Sequence, residues 1–196
     1  MTGMAATQYS DKTVSGASID VKVPPAEAEQ AIAPLTEYLN KNLETLAVNL
    51  STKMAQDVIM ATWSEVLNVI DSIMIPPLYG ALERDRRFLN RRQLSVAETC
   101  LRSLRDFFHA DGEGLGLPIR VLETVKYLQI QTLMQVYTND SARIKREYEL
   151  SLLKGQEKTY LLRLLRVRVE CDGWEKKQED KIWFETQIAK RKERKG

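Results

Sequence analysis

The chain has 196 residues and a mass of 22.5 kDa, enough for one domain that buries a core without disulfide or metal staples. Apolar residues make up 43 % and charged residues 29 %, which excludes a disordered polymer, and only 9 glycines and 6 prolines argue against a turn-rich β fold. The net charge of +2 is uneven: KRKERK at 190–195 alone is worth +4, so the remainder is slightly acidic and no broad nucleic-acid surface is expected.

Cys100 and Cys171 lie far apart, without metal or redox spacing, which fits a reduced, cytoplasmic protein. No apolar run approaches the ~18–20 residues that span a bilayer, and the N-terminus has no signal-peptide core.

Residues 1–23 are small, polar and irregular, apart from the alternation of Ile19, Val21 and Val23, which suits a short strand or an extended arm. Pro24-Pro25 closes the segment. Residues 33–50 then place Leu35, Tyr38, Leu39, Leu43, Leu46 and Leu50 at helical steps. Residues 52–74 repeat the pattern with Ile59, Trp63, Val66, Leu67, Ile70 and Met74. Pro76-Pro77 must stop that helix.

Residues 78–93 carry Arg84, Arg86, Arg87, Arg91 and Arg92 and read as a loop or a short exposed helix. Ser95 with Glu98 has capping-box spacing, and the helix it would start turns Cys100, Leu101, Leu104, Phe107 and Phe108 inward. A helix over about 119–137 uses Leu122, Val125, Leu128, Leu133 and Val136. Asp140 can cap another, with Ile144, Tyr148 and Leu152 inside and Gly155 at its end. KTYLLRLLRVRVE alternates leucine with arginine and is read as core or partner-helix packing, with a helix lying on a membrane as the alternative. The expected organisation is a flexible arm over 1–25, a bundle over 26–171 and a charged C-terminal helix or tail over 172–196. The fold class is all-α: an antiparallel bundle of about five or six amphipathic helices.

RDFFHADGEG at 105–114 tempts a chemical reading, because it holds the chain's only histidine and two glycines. Nucleotide-binding glycine loops follow a strand and open a helix, whereas Gly112, Gly114 and Gly116 follow a helix. The expectation is a helix end: Gly112 or Gly114 takes the left-handed position, Pro118 starts the next helix, and His109 sits at the negative end of the helix dipole. No nucleophile–base pair or metal-ligand cluster can be named, so no catalytic, cofactor or metal residue is assigned and no small-molecule substrate is expected.

"AIAPLTEYLNKNLETLAVNLS", "VIMATWSEVLNVIDSIMIPPL" and "CLRSLRDFFHADGEGLGL" resemble, in that order, the second Munc-homology domain. That domain is the C-terminal part of the MUN region in the uncoordinated-thirteen family of vesicle-priming proteins. The shared features are a Pro34-Leu35 helix start, Trp63 in the next helix, Pro76-Pro77-Leu78, and the Phe107-Phe108-His109 block with Gly112 and Gly114. The wording of that block is nearest to fungal members, and the resemblance covers roughly residues 31–153.

The resemblance implies a non-enzymatic helical rod, similar to tethering-complex subunits, that acts in SNARE-dependent exocytosis. It implies a cytoplasmic location, peripheral at the plasma or vesicle membrane. Syntaxin-like SNARE proteins, other parts of a longer tether, and anionic lipids are the implied partners. C2 domains and a first Munc-homology domain, which full-length members carry, are not evident in this chain. A scaffold binding a partner in nutrient or cyclic-nucleotide signalling is the alternative. The candidate contact residues are Arg84, Arg86, Arg87, Arg91 and Arg92 with Lys190, Arg191, Lys192, Arg194 and Lys195. Of these, the KRKERK end is read first as a disordered solubilising tail.

Overall fold

The computed structural model describes residues 25–82, 86–172 and 174–195. Residues 1–24 of the expected arm, Arg84 and the side chain of Lys195 lie outside them. The described chain forms eight α-helices: α1 (Pro25–Asn49), α2 (Thr52–Met74), α3 (Arg91–His109), α4 (Ile119–Leu122), α5 (Val125–Val136), α6 (Ser141–Leu153), α7 (Thr159–Glu170) and α8 (Gln178–Lys195). A single 3₁₀ turn over Ala110–Gly112 follows α3. The all-α bundle is as expected. Its helices are more numerous than the expected five or six because two predicted segments are divided or extended.

α1 begins nine residues before the expected Pro34-Leu35 start, and Pro34 lies inside it. Tertiary contact overrides the proline's preference for a first turn. Ala28 is fully buried, its carbonyl faces Cys100 Sγ at 3.7 Å, and Glu27 takes a two-pronged hydrogen bond from Arg92 at 2.9 and 3.0 Å. These contacts hold the first turn of α1 on α3. Tyr38, 67 % exposed, and Leu35 lie outside the core, which α1 enters through Leu39.

α2 follows its sequence pattern closely. Ser51 caps it by accepting from the Met54 amide, and Ile59, Trp63, Leu67 and Met74 are buried. α3 is capped by Asn90, whose side chain accepts from the Gln93 amide while Gln93 Oε1 accepts from the Asn90 amide, both at 2.9 Å. Ser95, the expected cap, is therefore one turn inside the helix. Starting at Asn90 brings Leu94, which is buried, into the helix.

The predicted helix over 119–137 is broken at Glu123. Thr124 caps α5 by accepting from the Tyr127 amide at 3.2 Å. The break frees the Leu122 carbonyl to accept from Trp63 Nε1 at 2.9 Å. It also rotates α5, so that Tyr127, Ile130, Leu133, Met134 and Val136 face inward. Val125, 85 % exposed, and Leu128 point to solvent instead. Trp63 lies 5.3 Å from the ring of Phe108 and 6.0 Å from that of Tyr127, joining α2, α3 and α5.

α6 is capped by Asp140 as expected and ends at Gly155, whose φ is +67°. α7 is the most buried helix. Leu161, Leu162, Leu164, Leu165 and Val167 have no exposed surface, and Arg166 and Arg168 are buried with them. Its arginines hold the chain around it. Arg163 donates to the carbonyls of Ile75 and Pro76 at 2.6 and 2.8 Å and pairs with Asp71 at 2.8 Å. Arg166 donates to the carbonyls of Pro77 and Gly80. Arg168 donates to the carbonyls of Tyr137 and Asn139, and its guanidinium lies 4.0 Å from the Trp174 ring centroid. Burial pulls the Arg168 pKa down to about 10, so the group still carries its charge at neutral pH.

Arg163→Met leaves two carbonyls without their donor and removes one of the two cations on the buried Asp71 carboxylate, the other being Lys126. It should lower unfolding free energy by about 3 kcal/mol in a urea titration. Arg102→Met, on the exposed face of α3, should change it by less than about 0.5 kcal/mol.

Candidate functional site

The FFHADGEG block is built as a helix end, by a different residue than expected. α3 ends at Ala110 in the left-handed region (φ 45°), followed by Asp111 (φ 52°) and Gly112 (φ 79°). Two residues with Cβ atoms in that region cost roughly 1–2 kcal/mol each, so closure must offset them. The Leu117 amide donates to the Phe108 carbonyl at 2.9 Å, and Leu117 is buried. His109 Nδ1 meets the Leu117 carbonyl at 2.9 Å. A carbonyl only accepts, so the proton sits on Nδ1 and His109 acts as a latch between helix and turn. Pro118 is the residue that flanks α4, one position before the first helical turn where it was expected.

Gly116 is the residue whose smallness the turn requires. A Cβ there would stand 2.2 Å from the His109 carbonyl oxygen and 2.9 Å from that of Glu113. Its signal in the sequence is only the third glycine of GEGLGL.

The basic residues separate into groups. Arg86 is half-buried and caps α2, donating to the carbonyls of Ser72 and Ile73. Arg87 is exposed and its backbone bridges to Asp172. Arg91 is exposed in the first turn of α3, and Arg92, also exposed, pairs with Glu27 at 2.9 Å. At the other terminus the KRKERK segment is helical, not a disordered tail, and forms the end of α8. Lys190 and Arg194 line a groove of about 540 Å³ with Glu149, Leu153 and Glu193. Lys192 is exposed.

Arg191 departs from the expectation of a free cation. It is buried, and donates to Glu157 at 2.7 Å, to the Tyr79 hydroxyl at 3.2 Å and to Thr159 at 3.3 Å. Glu157 also accepts from the Tyr148 hydroxyl at 2.9 Å. Burial, then the bond to Glu157, pushes the Tyr148 hydroxyl up to about 12. Burial alone would raise the Glu157 pKa; the hydrogen bonds from Tyr148 and Arg191 outweigh it and hold the carboxyl below its ordinary range. Arg191 thus reaches the start of α7, whereas Arg87 bridges to Asp172 just past its end. Their partners, Thr159 and Asp172, lie at opposite ends of α7.

Among the described residues no group of three or more His, Cys, Asp or Glu side chains could hold a metal ion. No helix among them is long and apolar enough to cross a membrane.

Compared with known proteins, the chain is 28 % identical over 143 residues to protein unc-13 homolog D of Rattus norvegicus, a match over 73 % of this chain and 12 % of that protein. It is 27 % identical over 131 residues to protein unc-13 homolog D of Homo sapiens, over 67 % of this chain and 11 % of the other. An uncharacterized protein of Schizosaccharomyces pombe is 28 % identical over 131 residues, again 67 % of this chain and 10 % of its own length. The chain spans about a tenth of the length of the curated relatives it matches. No family profile matches it, and no solved structure matches it. The chain is therefore similar to a segment of unc-13 homologues and of fungal proteins.

Two outcomes follow from this geometry. Gly116→Ala should destabilise by more than about 1 kcal/mol, because the clash is with backbone, and thermal unfolding would register it. The stability contributed by Glu157 is present above the ordinary glutamate pKa and is lost as pH falls through its depressed folded value. Urea midpoints from pH 7 down to pH 3 should therefore decline less steeply in Glu157→Gln than in the parent.

Proposed function

We propose that this chain is a non-enzymatic interaction module of a longer vesicle-tethering or priming protein that acts in SNARE-dependent exocytosis. The observation that carries the reading is the similarity to unc-13 homolog D over two thirds or more of the chain. The order of the Trp63, Pro76-Pro77 and FFHADGEG blocks, quoted for the resemblance to the second Munc-homology domain, supports it.

The bundle serves as a rigid carrier and its exposed cations do the contacting. Arg87, Arg91 and Arg92 form one group and Lys190, Lys192 and Arg194 the other. Arg86 and Arg191 are engaged inside the protein and support these groups rather than join them. Each exposed cation adds roughly 1 kcal/mol beside an anionic bilayer, and the attraction weakens with salt. Two groups held apart on a stiff body suit the bridging of two anionic surfaces, whether headgroups or the acidic faces of syntaxin-like SNAREs.

Flotation with phosphatidylserine liposomes, bare or carrying target-membrane SNAREs, tests the reading. Binding that needs SNAREs and survives ~0.15 M salt is expected, with at least a tenfold loss on Arg87→Glu and Arg91→Glu together. Binding to bare liposomes that vanishes with salt would reduce the role to electrostatic membrane contact. Absence of flotation in both cases would favour a scaffold.

A further inference from the structure

The turn after α3 forms one wall of an open cleft of about 350 Å³ that the helix-capping role does not account for. Leu43 and Ala47 of α1, Ile59 of α2, Phe107 and Phe108 of α3, and Leu115 of the turn line it. Its wall is largely apolar, so an apolar side chain seated there would release water favourably. Beside it, α1 carries Leu39, Leu43 and Leu46 at helical steps, and Leu50 follows just past its end. Only Leu39 is buried; the other three are half-covered. Among the described residues, the only charges lining the cleft are Glu44 and Glu113. Glu44 accepts from Asn40 at 2.6 Å, and neither carboxylate has an ion-pair partner among the described residues.

We infer that this cleft seats an amphipathic helix of a partner protein, with two or three apolar side chains in the groove and lysine or arginine flanking them. The leucine steps on α1 match the ridges of a second helix, and the acidic rim selects a basic flank.

A second copy seated in the cleft is an outcome that the test below distinguishes. The inference stands on the cleft and not on the exocytic reading.

The test is selection of a phage-displayed library of random 16-residue peptides against the full chain, counter-selected against Ala47→Trp. Ala47, Glu44 and Glu113 are exposed, so substitutions there leave the core intact, and far-ultraviolet circular dichroism would verify it. Expected are peptides that bind the parent and not Ala47→Trp, with apolar residues at positions i, i+4 and i+7 and enriched basic flanks. Synthetic copies should lose at least tenfold in affinity on Glu44→Lys with Glu113→Lys, and less on the paired glutamine changes. The inference is overturned if no Ala47→Trp-sensitive binder emerges, if binders show no basic enrichment and ignore the charge reversals, or if sedimentation shows the cleft filled by a second copy.

Discussion

Three arginines on α7, donating to main-chain carbonyls at helix ends, are the interaction on which the rest of the bundle depends. A helix leaves its last carbonyls without internal partners, and Pro76 and Pro77 offer no amide to carry the chain onward. The Ile75 and Pro76 carbonyls are buried beneath α7, and a polar group left unpaired there costs about 1–3 kcal/mol. Arg163 and Arg166 supply the donors, and Arg168 does the same for the carbonyls beyond α5. Burying a guanidinium is itself costly. That cost is met because each fork reaches two or more acceptors and because Asp71, Glu170 and the Trp174 ring share the charge. The same bonds join the group α1–α5 to the group α6–α8.

A body tied together in this way gives functional meaning to surface position. The FFHADGEG block, with the chain's only histidine, turns out to be a latch that strains two residues into left-handed conformation and recovers the cost through Leu117. In doing so it leaves a floor of small residues, Ala110, Gly114 and Gly116, along the apolar cleft. The basic residues, which look like one population in the sequence, divide into those bonded within the protein and exposed cations. Arg86 and Arg191 belong to the first kind; Arg87, Lys190 and Lys192 belong to the second.

Much of the fold is legible in the sequence where one local signal dominates. The stripe of α2, its stop at Pro76-Pro77, the Asp140 cap and the Gly155 end are each set within a few residues. What is not legible is set by contacts across the chain. Pro34 does not begin α1 because Ala28 and Glu27 are held by α3. The break at Glu123 leaves the Leu122 carbonyl to Trp63, about sixty positions earlier, a bond that no local signal announces. Asn90-Gln93 and Ser95-Glu98 both have capping spacing, and the burial of Leu94 decides between them. For the candidate site, counting charges finds the arginines and lysines. Their division into bonded and exposed cations depends on acceptors 13 to 112 residues away, which composition does not encode.

Native-state hydrogen exchange tests the central claim most directly, since it measures the opening free energy of each helix separately. If the arginines of α7 make one body of the bundle, the amides of Leu161–Val167 and of the buried parts of α2 and α5 will exchange only with global unfolding, at one shared free energy. If α6–α8 exchange together at a distinctly lower free energy than α2 and α5, the two helix groups open independently, and the account of α7 as their common tie is contradicted.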